Sequence, residues 1–88
     1  MEKETRVAVI AMVIENEEAA EAINGLLHSY AAFVIGRMGV PYREKGINVI
    51  TVVLDAPADA VSALSGKLGR LRGVTSKVLY AKNTKAAD

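Results

Sequence analysis

Apolar and polar positions follow two rhythms along this chain, and the switches between them mark out six elements. From Val7 to Ile14 the run "VAVIAMVI" is wholly apolar, as in a strand buried on both faces. The polar "ENEE" follows. Asn16 suits a helix cap, and Glu17 and Glu18 suit the first turn, where carboxylates meet the positive end of the helix dipole. Ala19, Ile23, Leu26, Leu27 and Tyr30 then recur as a single stripe, which predicts a helix over 17–30. The strand rhythm returns in "AFVIGRMGV", residues 32–40. Next comes the connector "PYREKG", whose Pro41 and Gly46 are turn formers.

"INVITVVLD", Ile47 to Asp55, is the most β-prone run in the chain. A second helical stripe consists of Val61, Leu64, Leu68 and Leu71 and predicts a helix over 57–72. Pro57 suits its first position and Asp59 its first turn. Gly73 is a natural stop, with Arg70 and Arg72 at the negative end. A last strand starts at Val74, and residues 83–88 form a loose polar tail after a single domain over 1–82. The order β-α-β-β-α-β predicts an α+β, ferredoxin-like sandwich. Its four-stranded antiparallel sheet has strand order 4-1-3-2, with both helices on one face.

The helical stripe also decides how to read "SGKLG", Ser65 to Gly69, which imitates a phosphate-binding loop. Such a loop needs Gly five residues before the Gly of Gly-Lys, and Ser or Thr after the Lys. Val61 and Leu68 occupy those positions. The segment also lies near the C-terminal end of a helix, where anions are disfavoured. Gly66 and Gly69 are then expected to allow close approach of this helix to its neighbours.

Composition narrows the function. An 88-residue chain buries only about 60–65% of its unfolded surface, so further burial against a partner is valuable. With no cysteine, disulfides, thiol catalysis and iron–sulfur ligation are excluded. The net charge of +1 does not suit a general nucleic-acid or membrane-surface binder. The Val7–Ile14 run is too short to cross a bilayer, and acidic residues stand where a signal peptide needs its cleavage site. The protein is expected to be cytoplasmic.

The stretches "LLHSY", "GRMGVPYREKGINVI" and "ALSGKLGRLRGVTSKV", in their order and spacing, resemble the small regulators associated with the iron-only hydrogenase system. The resemblance runs from about Val7 to Lys82, with Arg-Met-Gly-Val-Pro and Ser-Gly-Lys-Leu-Gly as its most specific parts. It implies a ferredoxin-like fold close to ACT domains and to the ligand-sensing C-terminal domain of the nickel-responsive repressor. Amino-acid-binding ACT domains usually carry an Asp-x-Pro-Gly type turn after the first strand. "IENEEAAE" has neither Pro nor Gly, which argues against an amino-acid ligand. His28 is the one histidine, too little for the repressor's metal site, so no metal or other cofactor is expected.

No nucleophile–base pair can be assembled from these residues, and an enzyme is not expected. Strands one and three lack the aromatics that stack RNA bases in this fold. Too few residues precede strand one for a DNA-reading helix-turn-helix. Two features remain. Both central strands are apolar on both faces while helices cover only one, so the other face is expected to join copies of the chain. The dimer is the minimum unit, and a dimer of dimers follows from the repressor resemblance. Ile10, Met12, Ile50 and Val52 form one candidate interface, and Val9, Ala11, Val49 and Val53 the other. Alternation alone does not choose between them. The second feature is the group Arg37, Arg43 and Lys45 around the Gly/Pro-bounded hairpin, suited to a small anionic ligand or a partner protein. Two functions follow: a ligand-responsive regulatory module, or a purely structural homo-oligomerisation module.

Overall fold

A computed structural model describes residues 4–82; the tail expected at 83–88 lies outside them. Strand β1 (Arg6–Ile14) leads through a 3-10 turn (Glu17–Ala19) into helix α1 (Ala20–Ser29). A second such turn (Ala31–Phe33) precedes β2 (Val34–Tyr42), and a third (Arg43–Lys45) joins it to β3 (Ile47–Ala56). Helix α2 (Ala58–Gly69) and β4 (Val74–Tyr80) complete the order. The strands lie β2-β3-β1-β4, all pairs antiparallel. This is the ferredoxin-like sandwich that the periodicity predicts.

The core lies between the sheet and the two helices. Ile10 and Met12 of β1, Val52 and Leu54 of β3, Ile23 of α1, and Leu64 and Leu68 of α2 are each at most 1% exposed. Burial of each such side chain contributes roughly 1.5–3 kcal/mol. Their position corrects one expectation. Ile10, Met12 and Val52 lie beneath the helices, and Ile50 packs against the same core, so this set is interior to the monomer. The helix-free face carries the other set, Val9, Ala11, Val49 and Val53.

The element boundaries differ from the sequence pattern for local reasons. Pro57 sits just outside α2 with ψ 145°, because its ring fixes φ and leaves ψ free to be extended. Ala31–Phe33 continue the turn out of α1 rather than starting β2, which packs Phe33 against the core. The helix cap at Asn16 is as expected, its Oδ1 accepting from the Glu18 N–H at 3.1 Å. The same side chain donates from Nδ2 to the Arg72 carbonyl at 3.3 Å, and Glu15 N–H donates to the Gly73 carbonyl at 2.7 Å. One residue therefore caps the 3-10 turn that leads into α1 and ties the β1–α1 corner to the α2–β4 turn.

Ser65, Gly66 and Lys67 lie within α2, as the stripe requires. A Cβ on Gly69 would stand 3.2 Å from Ser76 Oγ, so helix and β4 do approach closely there. A Cβ on Gly66 would meet only the tip of Arg70 at 3.8 Å; close approach does not account for that glycine. Lys67 crosses to the other helix, its Nζ donating to Tyr30 Oη at 3.1 Å. Lys67→Ala should leave ATP and GTP affinity unchanged, because there is none to lose. Micromolar nucleotide binding by calorimetry that vanishes in the variant would contradict this.

Candidate functional site

Two surfaces stand out, one on each side of the sheet. On the helix-free side the pairing registers line up the outward residues of all four strands. Val13 of β1 stands beside Val49 of β3 and Thr75 of β4, and Val49 stands beside Val40 of β2. In the next row Ala11 neighbours Thr51 and Lys77, with Met38 beyond Thr51; in the third Val9 neighbours Val53 and Leu79. Met38 is 62% exposed and Leu79 73%, and Val7, Val13, Val40 and Val49 are also exposed. Lys77 is the one charge among these three rows. With strands about 4.8 Å apart and alternate residues about 7 Å apart, three rows across four strands cover roughly 400 Å². An apolar area of that size lies within the roughly 300–600 Å² of a typical monomer's largest patch, which is often functional.

The second surface is a groove on the helix side, between α1 and the edge strand β2. Helix α1 leaves β2 partly uncovered, and a line of depressions runs along the gap. The middle one encloses about 260 Å³ and has Ile14, Ile23, Ile50 and Gly39 among its lining residues, with Arg37, Asn24, Asn48 and Glu17 as polar groups. A second, towards the end of α1, shares Asn24 and Arg37 and adds His28, Leu27 and Val34. A third, at the hairpin, shares Glu17, Pro41 and Asn48 and adds Tyr42 and Arg43.

A β-bulge puts Arg37 in this groove. Val34 pairs with Leu54, but Gly36 pairs with Val53, so Ile35 and Gly36 together oppose one residue. The extra residue reverses the alternation, and Arg37, paired with Val52, is turned to the helix side. There its Nη2 donates to Asn24 Oδ1 at 3.2 Å. Without the bulge Arg37 would share a face with Ile35.

The structure thus separates the three cations grouped by sequence. Arg37 lies in the middle of the groove, Arg43 lines the depression at the hairpin, and Lys45 lies in the exposed turn that ends at Gly46. Sequence reasoning missed Asn24, Asn48, Glu17 and Gly39 as groove residues. Two glycines within one strand were the available signal, since they mark bulges or close approach to a backbone.

Fold and groove together define a class: a small α+β domain of the ferredoxin-like kind with an open groove on the helix side of its sheet. Among the described residues no group of three or more His, Cys, Asp or Glu is placed to hold a metal ion, and no helix is long and apolar enough to cross a membrane. More particularly, residues 6–78 match the TM1266-like family, described as "Iron-only hydrogenase system regulator, putative", and the chain belongs to it.

Among solved structures, the uncharacterized protein TM1266 from Thermotoga maritima is similar, with 36% identity and TM-score 0.86. The match covers 90% of this chain and all of that one. The C-terminal domain of the MgtC protein from Mycobacterium tuberculosis superimposes with TM-score 0.70 over 99% of both chains, at 10% identity, a likeness of fold alone. No curated protein matches the chain. Arg37, Gly39, Val40 and Pro41 of the Arg-Met-Gly-Val-Pro stretch that carried the family resemblance line the groove.

Proposed function

We propose that this regulator of the iron-only hydrogenase system acts without catalysis, as a homo-oligomeric module that responds to a small anionic ligand. The carrying observation is the exposed apolar face spread across all four strands. A second copy is the occupant that the patch suits. Two such faces of about 400 Å² bury about 800 Å² together, so contacts around the rim must extend the interface to the roughly 1,000 Å² of a specific one. Closed symmetry needs a self-complementary patch, and three apolar rows with Lys77 as their one charge, flanked by Asp55 beside Val7, meet that need. A dimer of dimers would require a further contact, for which the exposed edge of β2 is available. The groove on the other side of the sheet stays open in such a dimer, and Arg37 supplies the cation for an anion.

The alternative, a purely structural oligomerisation module, has the same dimer and an idle groove. Light scattering over a dilution series tests the shared part: the mass should be at least twice that of the chain at micromolar concentration. A monomer at high micromolar concentration refutes both versions. Thermal stabilisation by a small anion separates them.

A further inference from the structure

We propose that the groove between α1 and β2 binds a small monocarboxylate with an apolar body, the carboxylate on Arg37 and the body over Gly39 and Ile50. The proposal rests on the reading of Arg37 as the ligand cation and specifies the ligand class. Three observations carry it. Arg37 meets a neutral partner, the Asn24 amide, which leaves guanidinium N–H groups for a carboxylate in the paired geometry that arginine favours. The surface next to it is apolar: Gly39 pairs with Ile50 one row along the sheet from the Arg37–Val52 pair, and Ile23 of α1 lines the same cavity. One row is about 7 Å, the reach of a chain of about five carbons. Glu17, at the far end of the cavity, repels a carboxylate there and so orients the ligand.

Gly39 keeps the floor open. A Cβ at this position would meet Ile50 Cγ1 at 3.9 Å, an ordinary contact, and Gly39 is not among the positive-φ glycines. The strand therefore accepts a Cβ here, and the absence of a side chain serves the groove rather than the backbone.

The test is a calorimetric titration of the folded protein with acetate, butyrate and hexanoate, and with inorganic phosphate. Affinity should rise with chain length, up to about fourfold for each fully buried methylene, so that hexanoate exceeds acetate at least tenfold. Arg37→Gln should weaken hexanoate at least tenfold, and Arg43→Gln should change nothing. Gly39→Val should remove the gain with chain length and leave acetate binding as it was. Phosphate or acetate binding as tightly as hexanoate, lost with Arg37, overturns this proposal and leaves the anionic-ligand reading standing. Equal losses in the Arg37 and Arg43 variants also overturn it, since the site is then the hairpin. No binding of any probe at 10 mM, an upper limit of roughly 3 kcal/mol in affinity, refutes both.

Discussion

Val49→Asp should leave the protein folded and break it into monomers, whereas Val52→Asp, three residues further along the same strand, should unfold it. Val49 is 37% exposed on the helix-free face, and Val52 is completely buried beneath the helices. In the monomer the Val49 carboxylate stays wet, so its cost is confined to β propensity, a scale of about 1 kcal/mol. In the dimer it is buried without a partner, and twice over by symmetry. An unpaired buried charge costs several kcal/mol, which should weaken association by at least about 100-fold. Light scattering and far-ultraviolet circular dichroism distinguish the outcomes: half the mass with native ellipticity for Val49→Asp, and lost ellipticity for Val52→Asp. If Val49→Asp keeps the parent mass, the assembly uses another surface.

Gly73→Ala should lower the melting temperature by roughly 8–40 °C, a cost of about 2–5 kcal/mol on the scale of 4–8 °C per kcal/mol for a domain of this size. Gly73 has φ 77°, and an added Cβ would stand 2.5 Å from Asn16 Cβ and 3.2 Å from Asn16 N. The left-handed backbone alone costs an alanine about 1–2 kcal/mol. Relieving the overlap adds about 1–3 kcal/mol, as overpacking does elsewhere. It must also move Asn16, which caps the 3-10 turn ahead of α1 and bonds the Arg72 carbonyl. Gly46 is the control, with φ 64° and nothing within 4 Å of an added Cβ. Gly46→Ala should therefore show the backbone cost alone, and equal melting points for the two variants would mean that the Asn16 contact yields freely.

The candidate site was less legible than the fold, and the bulge at Val34/Gly36 is the reason. Strict alternation from Val34 carries Arg37 to the helix-free face, and the connector's charges then read as one cluster with Arg43 and Lys45. An extra residue in a strand leaves little trace in a hydrophobic pattern. Its mark here is Gly36, which also reads as a plain strand glycine. Asn24 and Glu17 were hidden for another reason. On a helix they look like ordinary polar-face or cap residues until the partner strand shows what they flank.

The sequence by itself determined the six elements, their order and the antiparallel sheet, because local periodicity and right-handed crossovers leave few alternatives. It also determined that "SGKLG" is helical, since Val61, Leu64, Leu68 and Leu71 keep one stripe straight through it. Only the tertiary structure decided which face of the sheet the helices take. In β1 and β3 both alternating sets are apolar, and a period of two is symmetric between its phases. The choice lies in packing: Ile10, Met12, Val52 and Leu54 fill the space under α1 and α2, and the smaller Val9, Ala11, Thr51 and Val53 take the open side. Tertiary structure likewise placed Arg37 beside Asn24, because residues 13 positions apart meet only when α1 folds back over the sheet and the bulge turns the arginine towards it.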